Sequence, residues 1–504
     1  MTDIVVSKIS EVYSHIEAAP NIHAELFDYF SFFATNFQYS PLYKAKKWDG
    51  RIHLYKKDRL LYCGLLKHLV EFAQIHNYKI SIDKECILMN NFSLEEAKCY
   101  INTLNICSNN APIIPRDYQI IGIAKAVRYK KMLLVSPTAS GKSYIMYCIA
   151  RYLLDNNLCQ QGVIIVPTVN LVEQLYKDFE DYSTQNNWCV YKYTQKIYEG
   201  QSKIISKPIV ISTWQSLHNI KKATFFDQFD FVIGDEAHTF KARSLANIMT
   251  KLSNAKYRIG TTGTLDNIKV NKLTLEAYFG PISKLTTTKK LMDAGHISKL
   301  RIKCIKFEYK ESGRKNEIFC NNKENQSDYQ KEMNFITSYE PRNKFIKNLA
   351  LSLSGNTLIL FQYVAKHGKI LYELLQNKES LDRSIFLVYG GTEVEEREEI
   401  RSLVEVEINA IIVASYGVYS TGINIKNLNN IIFASPSKSK IRVLQSIGRG
   451  LRLNENKDFA TLFDLSDDLS SKSFINPTLE HYKERLLIYQ AEGFQVSSYA
   501  VELQ

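Results

Sequence analysis

Apolar and polar residues follow two different patterns along the chain, and the change lies near Pro115. Before it, short aromatic-rich segments such as AELFDYFSFFATNF and the turn-like KKWDGRIHLY alternate with polar breaks. This texture is typical of short strands and helices joined by turns. We therefore predict a small α+β domain over residues 1–110.

Beyond Pro115, apolar runs with strand character are followed by amphipathic stretches. MLLVSP precedes SYIMYCIARYLL, GVIIVP precedes NLVEQLYKDF, and the runs PIVIST, FDFVIGDE and YRIGTTGT come later. Strands that alternate with helices predict a parallel sheet covered on both faces. We expect this first α/β domain over residues 111–297.

The same alternation resumes after a polar stretch at residues 310–327. NTLILF, RSIFLVY, NAIIVASY and NNIIFAS are its strand-like runs, and they predict a second α/β domain over residues 298–475. The segment NPTLEHYKERLLIYQAEGF then has apolar residues at helical spacing and stops near Gly493. Residues 476–504 are therefore predicted to form a closing helix and a tail.

Composition narrows the class of protein. A chain of 504 residues is too long for one hydrophobic core, which agrees with several domains. No apolar run is long enough to cross a bilayer, and the first residues lack the apolar core of a signal peptide, so we expect no membrane partner. The expected location is the cytoplasm, which would be that of a host cell for a viral protein.

The net charge indicates the kind of partner to expect, and the spacing of the cysteines limits the kinds of cysteine site. Lys and Arg number 64 against 52 Asp and Glu, giving a formal charge of +12 that favours a polyanionic partner. The nine cysteines include no C-x-x-C pair, which argues against zinc ribbons and a disulfide framework. Reduced cysteines in the core are expected.

A phosphate-binding loop, SPTASGKS, joins the strand MLLV to a helix. Backbone N–H groups at the helix start suit phosphate oxygens, Lys142 suits the β and γ phosphates, and Ser143 suits Mg²⁺. Ser136 and Ala139 stand where related loops have glycine, and a chance loop is the alternative for this motif alone. The expected ATP contacts from the loop are Thr138, Ala139, Ser140, Gly141, Lys142 and Ser143.

A second motif, Asp-Glu-Ala-His, ends the strand FDFVIG, at the edge of a parallel sheet where α/β ligand sites lie. We expect Asp235 to hold Mg²⁺ and Glu236 to orient and deprotonate the attacking water. A solvated acidic turn is the alternative, and the phosphate loop argues against it.

Near the end of the second α/β domain, QSIGRGLR places Arg449 and Arg452 on one face of a helix or turn. Arginines that reach the γ-phosphate stabilise transition-state charge only when two domains close, which couples hydrolysis to motion. A surface salt-bridge helix is the alternative. Gln445 begins the same segment and is expected to contact the nucleotide.

The motifs PRDYQ, SPTASGKS, VPTVNLVEQ, DEAH, TGT, STGINI and QSIGRGLR occur over residues 113–455 in the order of superfamily 2 helicases, which the chain resembles. Within that superfamily, FFATNFQYSPLYKAKKWDGRIHLY and ASYGVYSTGINIKNLNNIIFA resemble the UvsW helicases of T-even-like phages. The resemblance implies two RecA-like parallel-sheet lobes in tandem, preceded by the small α+β domain.

By the same resemblance, Arg116 and Gln119 contact the adenine base, although Arg116 also suits a buried structural role. The turn containing Thr262 and Thr264, together with His238, is expected to couple the ATP site to the nucleic-acid track, with a plain β-turn as the alternative. Hydroxyl groups and helix starts that suit the strand backbone are expected in both lobes: Pro167, Thr168, Thr213, Trp214, Ser420 and Thr421.

The α+β domain has its own candidate surface, in which aromatic and cationic residues alternate. Stacking on bases and contact with phosphates need this combination, whereas a hairpin with a solvated lysine edge is the alternative. The residues are Lys44, Lys46, Lys47, Trp48 and Arg51.

Together these features predict a monomeric ATP-dependent helicase. The resemblance implies remodelling of branched DNA, through fork and Holliday-junction branch migration, and unwinding of RNA–DNA hybrids in recombination, repair and replication. Single-stranded DNA is its expected track, and the resemblance alone implies 3′ to 5′ polarity. A duplex translocase that does not separate strands and an ATP-gated strand-annealing protein are the alternatives, and the absence of an N-K-x-D signature disfavours a GTPase.

Overall fold

A computed structural model describes residues 2–266, 268–309, 328–376, 383–421, 425, 427–436, 439, 443, 446–448, 459–470 and 475–503. The chain divides into two compact units. One comprises residues 1–136 and 141–286, and the other comprises residues 287–504 with the four residues 137–140.

The chain begins with a small α+β domain, as predicted. Its four-stranded sheet has the order β5-β2-β1-β6, in which β1 runs antiparallel to β2 and parallel to β6. Two small antiparallel pairs, β3-β4 and β7-β8, lie outside this sheet. The strands are β1 Ile4–Lys8, β2 Tyr13–Ala18, β3 Ser31–Phe33, β4 Arg51–His53, β5 Leu60–Tyr62, β6 Ile80–Ile82, β7 Cys107–Ser108 and β8 Ala111–Pro112, and the helices are α1 Pro20–Tyr29, α2 Pro41–Lys44, α3 Leu66–Ile75 and α4 Leu94–Thr103.

The first RecA-like lobe is a seven-stranded parallel sheet with the order β11-β12-β10-β13-β14-β9-β15. Helices separate most of its strands along the chain, but β12 follows β11 without a helix between them. The strands are β9 Lys131–Val135, β10 Gly162–Val166, β11 Thr194–Ile197, β12 Ile209–Thr213, β13 Phe231–Gly234, β14 Tyr257–Thr262 and β15 Ile282–Lys284, and the helices are α5 Asp117–Tyr129, α6 Lys142–Asp155, α7 Val169–Tyr182, α8 Val190–Tyr193, α9 Trp214–His218, α10 Ala223–Phe226, α11 Arg243–Lys251 and α12 Lys269–Phe279.

The sheet of this lobe separates two apolar cores. On β10, Val163 and Ile165 face one core, and Ile164 and Val166 face the other. Every residue of that strand is buried, as the continuous apolar run predicted. The core that contains Val163 and Ile165 also contains apolar side chains of the α+β domain. That domain and the first lobe therefore share one hydrophobic interior.

The second RecA-like lobe has a parallel sheet of the order β18-β19-β17-β20-β21-β16-β22. Both expected α/β lobes are therefore present. The strands are β16 Lys299–Tyr309, β17 Thr357–Phe361, β18 Ile385–Val388, β19 Ile411–Ser415, β20 Asn430–Phe433, β21 Phe459–Asp468 and β22 Gln495–Leu503, and the helices are α13 Thr288–Asp293, α14 Asp328–Ser338, α15 Glu340–Ser352, α16 Lys369–Gln376, α17 Val394–Val406, α18 Tyr416–Thr421 and α19 Pro477–Ala491.

The last part of the chain, after residue 476, differs from the prediction. Residues 476–504 were expected to form a helix and a tail, but after α19 the chain continues as β22, which pairs with β16 along its whole length. As an edge strand with mostly exposed residues, β22 lacks the apolar run that marks a central strand. In the part of the chain that the structure describes, no helix has the length and apolarity to span a membrane.

Candidate functional site

The phosphate-binding loop lies between β9 and α6, as expected. The backbone N–H of Ser136 donates to the carbonyl of Thr262 at 3.0 Å, which fixes the start of the loop. Gly141 has φ +82, and a Cβ there would fall 2.4 Å from Nε2 of Gln119, so this position requires glycine. Ala139 also has positive φ, at 65°, which explains why glycine suits that position in related loops.

Beside this loop, the PRDYQ segment is tied together internally. The Oε1 atom of Gln119 accepts from the backbone N–H of Arg116 at 2.9 Å, and Gln119 is buried. The guanidinium group of Arg116 donates to the hydroxyl of Tyr118 at 2.9 Å. Contact of either residue with adenine stays a prediction.

The acidic motif follows β13. The side chain of Asp235 accepts a hydrogen bond from the hydroxyl of Thr261 at 2.8 Å. Burial and the charge of Glu236 raise the pKa of Asp235, while Lys142 and the Thr261 hydrogen bond oppose that shift. A cation beside Asp235 favours its ionised form, so the electrostatics of this carboxyl group suit a metal-holding role.

The oxygen atoms of Asp235 and Ser143 are the hard ligands that Mg²⁺ prefers, and Mg²⁺ usually keeps several waters as well. Among the described residues, no group of three or more His, Cys, Asp and Glu side chains forms a closed metal cage. The fit to Mg²⁺ rests on the oxygen donors of Asp235 and Ser143. The Ser143 hydroxyl lies 2.9 Å from the hydroxyl of Tyr182, the last residue of α7.

His238 joins Glu236 to the Thr-Gly-Thr turn. Its Nδ1 atom lies 3.3 Å from Oε2 of Glu236 and 3.0 Å from Oγ1 of Thr262. The Thr262 hydroxyl donates to the carbonyl of Thr264 at 3.0 Å, so it accepts from His238. In the tautomer with the proton on Nδ1, His238 can donate to both the carboxylate and the turn.

The turn ends at Thr264, whose Oγ1 is buried and has no hydrogen-bond partner among the described residues. The geometry thus brings together the three residues expected to couple the sites. Their coupling role stays a prediction.

The first-lobe residues expected to contact nucleic acid lie at the ends of neighbouring strands. Val166 pairs with Thr213 in the sheet, which places residues 167–168 beside residues 213–214. Thr168 caps α7 and accepts from the N–H of Leu171 at 3.4 Å. The hydroxyl of buried Thr213 donates to Ser216 at 3.1 Å, and Trp214 is half-buried at the start of α9.

In the second lobe, Ser420 and Thr421 end α18, directly behind β19. The structure describes their backbone but not their side chains. Gln445, Arg449 and Arg452 lie outside the described residues. The nucleotide and nucleic-acid roles expected for these five residues stay predictions.

In the α+β domain, the expected nucleic-acid segment lies between β3 and β4. Lys44, Lys46 and Lys47 are exposed, and Lys46 has left-handed backbone with φ 55. Trp48 is half-buried, and its Nε1 donates to the carbonyl of Arg51 at 2.8 Å. The segment thus presents its lysines to solvent, while the indole closes the loop onto β4.

Arg51 is occupied within the protein. Its guanidinium group lies 4.7 Å from the ring centroid of Phe33 and 3.7 Å from Asp28. The ring of Phe33 also stacks on that of Phe37, with centroids 4.6 Å apart. Phe37 in turn meets the ring of Tyr43 edge-on at 4.8 Å. These contacts hold Arg51 within the hairpin, and its contact with nucleic acid stays a prediction.

Two residues of the nucleotide site were missed in the sequence. Thr261 could have been found from strand register, because Gly234 pairs with Gly260 and the next residue on each strand is Asp235 or Thr261. Tyr182 gave no local signal, since it lies far along the chain from Ser143 at the end of an ordinary amphipathic helix.

Three family models match the chain. The model described as the amino-terminal domain of DNA helicase UvsW matches residues 3–83. The model of the type III restriction enzyme res subunit matches residues 112–267, and that of the helicase conserved C-terminal domain matches residues 340–454. The three matches follow the order of the α+β domain, the first lobe and the second lobe.

Similar proteins occur among viruses. The ATP-dependent DNA helicase uvsW of Enterobacteria phage T4 is 33% identical over 512 residues, covering 97% of this chain and 98% of that protein. A putative ATP-dependent RNA helicase, L396, of Acanthamoeba polyphaga mimivirus is 26% identical over 60% of this chain and 55% of its own.

Solved structures agree with these matches. The crystal structure of T4 UvsW covers 100% of both chains with a TM-score of 0.53 and 32% identity. A fragment of a putative HsdR subunit of a type I restriction enzyme from Vibrio vulnificus YJ016 covers 80% of this chain and 71% of its own, with a TM-score of 0.55 and 18% identity, and shares the fold. The chain has a phosphate loop and an acidic motif, and it is 33% identical to the T4 UvsW protein over nearly its whole length. It therefore belongs to the UvsW-like superfamily 2 helicases and is an ATP-hydrolysing DNA helicase.

Proposed function

We propose that this helicase uses Mg²⁺ and ATP to remodel branched DNA, by fork and Holliday-junction branch migration, and to unwind RNA–DNA hybrids in recombination, repair and replication. One observation carries the proposal. The α+β domain that matches the UvsW amino-terminal model exposes a cationic segment and shares a hydrophobic interior with the ATP-binding lobe.

In the nucleotide site, Lys142 neutralises the β and γ phosphates, and Gln119 with Arg116 contacts the base. Glu236 accepts the proton of the attacking water, and its position beside His238 supports that role. Asp235 and Ser143 hold Mg²⁺, which supplies charge neutralisation at the phosphates when bound. Arg449, Arg452 and Gln445 complete the site on sequence grounds alone.

The nucleic-acid track runs past residues 167–168 and 213–214 of the first lobe and Ser420 and Thr421 of the second. Adjacent strand ends and the start of α7 support this assignment in the first lobe, because backbone N–H groups at a helix start suit phosphates. Movement is 3′ to 5′ along single-stranded DNA, and the working unit is a monomer.

Substrate choice resides in the α+β domain, where Lys44, Lys46 and Lys47 contact phosphates of the junction. Tyr39 precedes these lysines in the sequence and is 71% exposed, so its ring is available to stack on an unpaired base. Trp48 and Arg51 act indirectly, since both are engaged in shaping the hairpin.

Rigid attachment supports this division of labour. Glu11 pairs with Lys131 of β9 at 3.1 Å, and His68 lies 2.9 Å from Glu276 of α12. The α+β domain and most of the first lobe belong to one compact unit, so that a junction held by the lysines is held by that same unit.

Parallel assays on forks, Holliday junctions, RNA–DNA hybrids and plain single strands test the proposal. We expect ATP-dependent strand displacement or branch migration on the first three substrates, and ATP hydrolysis alone on single strands. Displacement of a triplex strand without separation of the underlying duplex would instead identify a duplex translocase. Annealing that persists without hydrolysis would identify a strand-annealing protein.

A further inference from the structure

Helix α7 connects the two sites of the first lobe. It spans 14 residues, or about 21 Å. At its amino end, Thr168 caps the helix in the proposed nucleic-acid track, and at its carboxyl end Tyr182 contacts Ser143. A single rigid element therefore has one end in each site.

Tyr182 is held firmly. It is 9% exposed, and its ring packs edge-on against Tyr147 with centroids 5.5 Å apart. Its hydroxyl lies 2.9 Å from Oγ of Ser143. The oxygen of a tyrosine hydroxyl can accept a hydrogen bond as well as donate one.

A serine that binds a cation uses an oxygen lone pair, and its own proton then needs an acceptor. The Tyr182 oxygen lies where it can take that proton and orient the lone pairs of Ser143. Partners of this kind fix the direction of a metal ligand and tune its affinity.

We propose that Tyr182 is a positioning residue that orients the Ser143 hydroxyl for Mg²⁺ and, through α7, makes metal binding responsive to nucleic acid at Thr168. This inference rests on the proposed metal role of Ser143. Coupling of this kind is reciprocal, so nucleic acid should tighten the metal and the metal should tighten nucleic acid.

Tyr182→Phe removes the hydroxyl and keeps the ring, and Tyr147→Phe is its matched control. Tyr147 belongs to the same aromatic group, but its hydroxyl bonds to Ser183 at 2.9 Å, Arg151 at 2.8 Å and Asn186 at 3.2 Å instead of Ser143. Binding of Mn²⁺ to the full chain with a non-hydrolysable ATP analogue, followed by electron paramagnetic resonance, reads the metal site without turnover.

We expect Tyr182→Phe to raise the Mn²⁺ dissociation constant roughly 3- to 10-fold, the range for one lost hydrogen bond. The Mg²⁺ concentration for half-maximal ATPase should rise by the same factor, with kcat at saturating Mg²⁺ near wild type. Single-stranded DNA should tighten Mn²⁺ binding in the wild type and in Tyr147→Phe, but much less in Tyr182→Phe.

A double-mutant cycle with Ser143→Ala separates the two proposals, because the Tyr182→Phe effect should vanish in that background. Unchanged Mn²⁺ affinity in folded Tyr182→Phe, beside a clear loss in Ser143→Ala, would overturn the inference alone. Unchanged Mn²⁺ affinity in Ser143→Ala would remove the metal role of Ser143. Melting temperatures of both phenylalanine variants show whether lost stability explains either result.

Discussion

At the level of single residues, His238 lies between Glu236, the proposed catalytic base, and the Thr-Gly-Thr turn that is expected to couple the two sites. One ring nitrogen serves both Glu236 and Thr262, so a shift of the Thr-Gly-Thr turn changes the hydrogen bonding of the carboxylate that is proposed to activate water. Loss of the imidazole leaves the carboxylate in place but separates it from the turn.

We therefore predict that His238→Ala keeps basal ATPase within about threefold of wild type and reduces nucleic-acid stimulation about tenfold, which corresponds to one lost hydrogen bond. Thr262→Val, which removes the hydroxyl that contacts His238 and donates to the carbonyl of Thr264, should show the same pattern. Steady-state ATPase with and without single-stranded DNA measures both quantities. Full stimulation in both variants would place the coupling elsewhere.

Glu332 in α14 is a buried carboxyl group without a cationic partner among the described residues. Burial, with a smaller effect of the Asp467 charge, raises its pKa to about 7, although Asn476 and Thr478 donate hydrogen bonds to it. Between its ordinary value of 4.5 and 7, the folded chain keeps a proton that the unfolded chain has released. Stability therefore falls as pH rises through this window, and the contribution, at most about 3 kcal/mol, is lost above pH 7.

This dependence predicts that Glu332→Gln, which cannot ionise, flattens the pH profile of second-lobe stability. Chemical denaturation at pH 5, 6, 7 and 8 measures the free energy of unfolding for both proteins. The wild type should lose stability across the series relative to the variant. Parallel profiles would show that Glu332 is already ionised at pH 5 in the folded protein.

Motif residues such as Lys142, Asp235 and Glu236 could be predicted from sequence because they follow strands at fixed spacing. Partners from distant segments could not, and Tyr182 and Thr261 are two examples. The composition of the segment from Lys44 to Arg51 predicted a surface of alternating aromatic and cationic residues. Only the structure shows that the Arg51 guanidinium faces Phe33 and Asp28.

At the scale of the element, Arg258 links β14 to the ends of two helices. Its buried guanidinium donates to the carbonyl groups of Met249, Leu252 and Tyr278 at 2.7 to 2.9 Å. Burial lowers its pKa to about 10, so the side chain remains charged at neutral pH. It thus satisfies carbonyls at the carboxyl ends of α11 and α12 and helps fix the strand that ends at Thr262.

Arg258→Met keeps much of the apolar stem but leaves three buried carbonyls without their donor. We predict a loss of about 3 kcal/mol or more in the stability of the first unit, from roughly 1–3 kcal/mol for each unsatisfied group. Urea unfolding of the full chain followed by first-lobe tryptophan fluorescence checks this value. A loss below about 1 kcal/mol would mean that water or a backbone shift replaces the arginine.

Central strands were predictable because burial on both faces requires continuous apolar runs, as in β10 and β19. The edge strand β22 was not, since solvent covers much of it. The β3-β4 pair was likewise recognised only as a turn-like segment, because its strands are three residues long and partly exposed.

At the scale of the whole molecule, composition and pattern predicted the α+β domain and two α/β lobes, but not how the amino-terminal domain is attached. That depends on contacts between distant residues, including the pairs Glu11 with Lys131 and His68 with Glu276, and the rings of Tyr62 and Tyr278 at 5.4 Å. Attachment to the first lobe makes the domain part of the motor body.

We predict that replacing Lys44, Lys46 and Lys47 by alanine lowers the salt slope of junction binding by roughly 2 to 3 units, because up to three phosphate contacts are lost. ATPase on saturating single strands should stay near wild type. Fluorescence anisotropy over a range of salt concentrations measures the slope. An unchanged slope would exclude this segment from the nucleic-acid interface.

Glu236→Gln on a forked substrate shows whether hydrolysis at Glu236 drives strand movement on branched DNA. We expect this variant to bind ATP and the fork with wild-type affinity but neither to hydrolyse ATP nor to displace a strand, whereas the wild type does both. Strand displacement by Glu236→Gln at the wild-type rate would show that hydrolysis at Glu236 does not drive the movement.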